Sequence, residues 1–317
     1  MQALYLSDNG LQLLSDYAQP QPAADEALIR VLCAGICSTD LEIVRGYGAH
    51  RGVLGHEFVG VVESAADTDW IGRRVVGGIN LGCQQCTICT QAGPEHCPQR
   101  RVLGILHKDG VFAEYVTLPL TNLMPVPANV PDEMAVFTEP LAAALRITEQ
   151  LALTPGMAVA VVGPGRLGML IGQTLALTGA VVTMLGRRES SLKLPAAMGM
   201  TTALVTGAAD NSFDVVVEAT GNDQGLVQAL RLVRPLGTLI LKSTYAGSVT
   251  LSLTKIVVDE IKVIGSRCGP FAPALRLLSR RQITVEPLID GRYSLADGLA
   301  AMAHAAQPGV RKILLRP

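Results

Sequence analysis

The spacing of apolar positions changes character part-way along the chain. In the first third, short apolar runs punctuated by Gly, Pro and Asn predict β-strands at 27–33, 59–63 and Arg74–Gly77. Pro140, well placed in a helical first turn, predicts a helix with Leu141, Leu145 and Ile147 or Thr148 on its inner face. Thr154-Pro155-Gly156 reads as a turn, and beyond it strands and helices alternate. Strands are predicted at Ala158–Val162, 181–185, Phe213–Glu218, 237–241 and Lys262–Gly265, and helices at 167–178 and 225–233. These strands are apolar throughout, as expected when both faces are buried, so the expected fold is α/β with a doubly wound parallel sheet. The tail, 283–317, returns to mixed signals and is expected to rejoin the first domain. The expected division is a β-rich domain from 1–143 and 267–317, and a dinucleotide-type domain from 144–266.

One charge-free stretch, 167–186, has the hydropathy of a membrane span, but Gly172, Gln173, Thr174, Thr178 and Gly179 interrupt it. A buried helix, a glycine stop and a buried strand account for it better. The first ten residues lack a basic start and a long apolar core, so a cytoplasmic protein with no membrane partner is expected. Basic residues number 26 and acidic ones 27, which leaves no basic excess to match nucleic-acid phosphate. The 317 residues suffice for two domains.

Seven cysteines are present, and four of them crowd into 83–97. That is too tight for an extracellular disulfide framework and suits metal binding in a reducing compartment. Cys83, Cys86, Cys89 and Cys97 follow a C-x2-C-x2-C-x7-C spacing, so one loop can wrap a single tetrahedral zinc ion in a closed, structural site. A second set, Cys37 with His56 and Glu57, offers a thiolate, an imidazole and a carboxylate, an open zinc site with room for a substrate oxygen. His56 taken alone could equally be a hydrogen-bonded histidine at a strand edge. Glu139 strengthens the metal reading, because a carboxylate in the apolar Thr138-Glu139-Pro140 neighbourhood needs a partner.

A third motif, Gly163-Pro164-Gly165-Arg166-Leu167-Gly168, lies between a predicted strand and a predicted helix. In that setting it is a dinucleotide fingerprint, since small residues let a pyrophosphate approach the helix N-terminus. The next strand ends in Gly186-Arg187-Arg188 where an acidic residue would accept the ribose diol. Glycine leaves space and the arginines supply charge, so NADP is expected, with NAD the alternative because Glu189 is adjacent.

Together these motifs resemble the zinc-containing medium-chain dehydrogenases, particularly the sorbitol, threonine and bacterial secondary-alcohol branch. The resemblance spans nearly the whole chain, from Gly35-Ile36-Cys37-Ser38-Thr39-Asp40 through Val217-Glu218-Ala219-Thr220-Gly221 to Lys312-Ile313-Leu314-Leu315. It implies a GroES-like catalytic domain beside a Rossmann domain, two Zn2+ per chain, NAD(P) and a homodimer or homotetramer. It further implies that Cys37 and His56 ligate the catalytic zinc while Glu57 and Glu139 alternate as further ligands. Asp40 would orient the zinc-bound imidazole and Thr39 would take the substrate proton; Glu42 stands where the family often has the histidine that ends the proton relay, and would either finish that relay or be an exposed helix residue. Thr220 would join the cofactor site. The implied reaction passes a hydride from an alcohol or polyol to the nicotinamide. Ile36, Tyr47, Phe112 and Tyr245 are candidate pocket residues by motif proximity. The alternatives are a zinc-free quinone reductase, which would lack the metal ligands, and a nucleotide-binding relative without dehydrogenase activity, which would be expected to lose Cys37 or Glu57; a zinc-ribbon module would leave the dinucleotide half unexplained.

Overall fold

The computed structural model describes residues 1–244 and 248–317, so Tyr245 lies outside the described residues. The chain forms two compact units, Met1–Glu139 with Phe271–Pro317, and Pro140–Pro270.

The first unit is built on the long strand Glu26–Gly35. One edge of it pairs antiparallel with Glu57–Ala65. Its other edge is shared, by Tyr115–Pro119 along the first half and by Lys312–Arg316 at its end. The strand reads EALIRVLCAG and is buried at nearly every position, so packing on both faces rather than alternation sets its composition. The C-terminal strand thus closes onto the centre of a seven-stranded sheet, and Gly35 stands opposite Glu57 on one side and Leu314 on the other.

The second unit holds a six-stranded, all-parallel sheet. In spatial order its strands are Thr201–Leu204, Val181–Gly186, Ala158–Val162, Phe213–Glu218, Val233–Leu241 and Lys262–Gly265. The strand order reverses between Ala158–Val162 and Phe213–Glu218, and ligands of such sheets bind at the carboxyl ends of the strands flanking that point. Val159, Ala160, Val161, Val216 and Val217 are fully buried between the covering layers.

The charge-free stretch resolves into helix Arg166–Ala176 and strand Val181–Gly186. Among the described residues, no helix is long and apolar enough to cross a membrane. Helix Thr138–Gln150 carries Glu139 and Pro140 in its first turn. Its inner face is Leu141, Ala144 and Ile147, with Leu145 only half-buried. Two elements had no clear signal. Helix Glu189–Ala197 contains Pro195, and strand Thr201–Leu204 is only half-buried at the sheet edge.

Candidate active site and structural metal site

Cys37 is the N-cap of helix Ser38–Val44, which directly follows the central strand of the first unit. Asp40, three residues into that helix, is fully buried and accepts a hydrogen bond from the Cys37 N–H at 2.8 Å through Oδ2. Its other oxygen, Oδ1, stands 3.2 Å from His56 Nδ1, an ion-pair contact without hydrogen-bond alignment. One carboxylate therefore fixes both the Cys37 backbone and the His56 ring, leaving Nε2 of the imidazole as its ligand atom. Burial works against a charged His56, but the Asp40 carboxylate outweighs it and holds the imidazole well above its usual range.

Cys37, His56 and Glu57 bring ligand atoms to within 4.8 Å of one another. Glu57 is 1% exposed, and its Oε1 has no hydrogen-bond partner, while Oε2 meets the ammonium of Lys312. A buried oxygen left without a donor fits a site designed for a cation. Glu139 lies outside this three-residue group. Thr39 Oγ1 is 3.7 Å from Cys37 Sγ, and Glu42, one turn further along, pairs with Arg45 at 2.7 Å. Ile36 and Phe112 are core side chains at 0% exposure, so neither is available to line a substrate pocket. Phe112 packs under the Gly55 backbone, where a Cβ would lie 2.3 Å from its ring. A cavity of about 690 Å³ in this unit, bordered by Tyr17, His107 and Lys108, contains none of the three ligand residues.

The four clustered cysteines also converge within 4.8 Å. Cys83 and Cys89 Sγ atoms are 3.9 Å apart, as are those of Cys86 and Cys97. The Cys89 N–H donates to Cys86 Sγ at 3.4 Å and the Cys83 N–H to Cys97 Sγ at 3.5 Å, the polarity that thiolates require. Backbone N–H groups of Gln85 and Cys86 draw the Cys83 thiol down to about 6, whereas partial burial and the neighbouring thiols push Cys89 up to about 12. Four thiols so close cannot all ionise unless a cation shares their charge. The set fits a closed zinc site.

In the second unit the dinucleotide motif forms the turn from Ala158–Val162 into Arg166–Ala176. Gly163 has φ +105°, and a Cβ there would meet Ala219 O at 2.7 Å. A Cβ on Gly168 would sit 1.9 Å from Gly163 O, so only glycine lets the helix pack this close. Gly165, the N-cap, faces open space, and no side chain caps the helix. A turn of this shape suits the approach of a phosphate to the helix N-terminus. Pro164 belongs to the turn, and Arg166 and Leu167 open the helix. Across the switch point, the buried Glu218 carboxylate accepts hydrogen bonds of 2.6 Å from both the N–H and the hydroxyl of Thr220 and one of 3.2 Å from Ser243. These bonds fix the loop that carries Thr220 at the end of strand Phe213–Glu218.

Gly186 differs from its sequence reading. A Cβ there would lie 2.5 Å from Ser191 Oγ and 2.8 Å from Leu192 Cδ2, so helix packing demands the glycine and spare room for a phosphate does not explain it. Arg187 and Arg188 are exposed at the end of the strand. Glu189 opens the next helix, where a negative charge suits the helix dipole irrespective of any cofactor.

Two further residues shape the site without a role that their motifs disclose. Lys312 stood in a recognised motif without a role; a lone lysine leading an Ile-Leu-Leu run is the signal that marks it. Gly35 opens a recognised motif, but its role arises from pairing with partners distant in sequence.

A model of the alcohol dehydrogenase GroES-like domain matches residues 23–128, and one of the zinc-binding dehydrogenase domain matches 167–280. The L-galactonate-5-dehydrogenase of Escherichia coli (strain K12) is 30% identical over 87% of both chains. A zinc-binding dehydrogenase target from Sinorhizobium meliloti 1021, bound to NADP, superposes with a TM-score of 0.91 at 28% identity, covering 100% of this chain and 99% of its own. An alcohol dehydrogenase from E. coli CFT073 complexed with NADH gives a TM-score of 0.90 at 26% identity with the same coverage. The chain belongs to the zinc-containing medium-chain alcohol dehydrogenase family, with a GroES-like β domain and a Rossmann-like parallel-sheet domain.

Proposed function

We propose that the protein is a zinc-dependent dehydrogenase that oxidises a secondary alcohol of a small polyol-type substrate and prefers NADP as hydride acceptor. The observation that carries this reading is the convergence of Cys37, His56 and Glu57, with one Glu57 carboxylate oxygen unpartnered and Asp40 beside the imidazole. A zinc ion held there would act as a Lewis acid that acidifies the alcohol, and a bound nicotinamide would accept the hydride. The chain's own residues supply position and proton transfer. Asp40 holds the His56 ring, Thr39 takes the hydroxyl proton, and Glu42 ends the relay. Glu57 and Glu139 serve as the alternating further ligands. Cys83, Cys86, Cys89 and Cys97 hold the second, structural zinc.

The cofactor preference rests on the exposed pair Arg187 and Arg188. Related structures hold NADP in one case and NADH in another, so the pair must decide. The test compares kcat/KM for NADP and NAD, against a panel of polyols and secondary alcohols, in the wild type and in Arg187→Ala. The wild type should prefer NADP. Losing a charge-assisted hydrogen bond should lower the NADP value about tenfold to a hundredfold and spare NAD. A wild-type preference for NAD would remove the basis for the phosphate reading. No turnover with any alcohol, or full turnover in Cys37→Ala, would remove the dehydrogenase reading itself.

A further inference from the structure

Lys312 is the least expected charge in the first unit. It is 3% exposed and leads three residues, Ile313, Leu314 and Leu315, that are fully buried. Its ammonium is paired with Glu57 Oε2, stands 3.4 Å from Ile36 O, and lies 5.7 Å above the Phe137 ring. Sheet register makes this contact possible. Gly35 lies between the two strands that carry Glu57 and Lys312. A Cβ on Gly35 would come within 2.6 Å of Glu57 Oε2 and 3.2 Å of Lys312 Cδ, so the missing side chain is what lets the lysine reach across the central strand.

A buried carboxylate needs a cation wherever it stands, because an unpaired buried charge is far costlier than a paired one. An ion pair built only to join two strands would have no reason to leave the other oxygen unsatisfied. Here Oε1 lacks a partner, and the same carboxylate supplies a ligand atom beside Cys37 and His56. Glu57 is thus placed between two cation positions, one occupied by Lys312 and one formed by the ligand cluster. A metal site that admits an alcohol must release a ligand, and the released carboxylate then needs another counter-charge within reach.

We infer that Lys312 is a positioning residue that competes with the catalytic metal for Glu57, keeping this carboxylate an exchangeable ligand and the substrate position accessible. The inference rests on the zinc reading of Cys37, His56 and Glu57. The test uses full-length protein loaded with cobalt(II) alone and follows cobalt loss to excess dipicolinate. The kinetic phase that is missing from Cys37→Ala identifies the site. If the wild type shows no such phase, the zinc reading fails, independently of Lys312.

Lys312→Met should lose cobalt from that site about tenfold more slowly, because Glu57 then has only the metal to neutralise it. Its cobalt spectrum should show a firmer oxygen ligand that added alcohol no longer displaces. Lys312→Arg, which keeps the charge, should stay near the wild-type rate. Lys312→Gln keeps a donor for Oε2 while removing the charge, so it carries the same expectation as Lys312→Met should that variant fold poorly. A merely structural lysine would lower thermal stability and leave metal loss unchanged or faster. Either of those release rates in the neutral variants overturns the inference.

Discussion

At the scale of single residues, Asp40 links more of the site than any other side chain described. Its two oxygens divide the work, one fixing the Cys37 N–H and the other facing His56 Nδ1. Asp40→Asn retains an oxygen for Cys37 and the shape of the side chain, but it removes the charge that sets the imidazole's orientation and basicity. The expected outcome is a fall of about 10- to 100-fold in kcat or metal retention, with the fold preserved. Steady-state kinetics and zinc content after dialysis measure both quantities, and unchanged values would mean that His56 is oriented by something else. Motif order could name Asp40, yet its bridging geometry could not be read from order. It depends on Cys37 capping a helix while His56 immediately precedes a strand that pairs with Glu26–Gly35.

At the scale of elements, the C-terminal strand that delivers Lys312 is secured by a surface cluster. Glu133, in helix Asp132–Ala135, accepts two hydrogen bonds from Arg292 at 2.8 and 2.7 Å and one from Arg316 at 2.9 Å. The Arg292 guanidinium is the main cause of a Glu133 carboxyl held below its ordinary range, with Arg316 adding to it. The sign follows from that direction. A depressed carboxylate stabilises the fold fully above its unfolded-state value, and the contribution is lost as pH falls through the folded-state value. Glu133→Gln should therefore cost about 1 kcal/mol near neutral pH, since the arginines are solvent-exposed and the pairs screened. The difference between variant and wild type should shrink toward zero in acid. Denaturant melts at pH 7 and pH 3.5 check this, and a cost that persists in acid would point to packing instead. The same elements show what the sequence could disclose. Unbroken apolar runs identified the central strands of the parallel sheet, because burial on both faces leaves no ambiguity there. Helix Glu189–Ala197 and strand Thr201–Leu204 are not legible in the sequence, because an internal proline and partial exposure weaken both periodicities. Likewise the meaning of Gly186 depends on Ser191 and Leu192 folding back over it, a contact that no local pattern records.

At the scale of the whole molecule, the parallel sheet has an end that the described residues leave partly uncovered. Strand Lys262–Gly265 is its outermost member, and three of its four residues are exposed. Apolar side chains gather around it in the sequence: Leu253, Val257 and Val258 on the preceding helix are 69%, 72% and 72% exposed, and Val263 on the strand is 44% exposed. Leu236, 65% exposed with φ +63°, bonds through its N–H to Asp259 O at 2.7 Å and so belongs to the same surface. Scattered exposed apolar residues need no explanation, but a cluster beside an open strand edge does. An open edge offers unpaired N–H and C=O groups to any other chain, and the adjacent valines would be buried when those groups are paired. A second copy of this chain, related by a two-fold axis, satisfies both needs with one self-complementary contact. The expected outcome is a homodimer, or a tetramer built from two such dimers. Val257→Asp combined with Val263→Asp places like charges across that contact and should shift the mass toward the monomer, leaving both zinc sites loaded. Multi-angle light scattering at micromolar concentration gives the answer directly. A wild type that runs as a monomer would refute the pairing, and an oligomer untouched by the two aspartates would place the interface elsewhere on the surface.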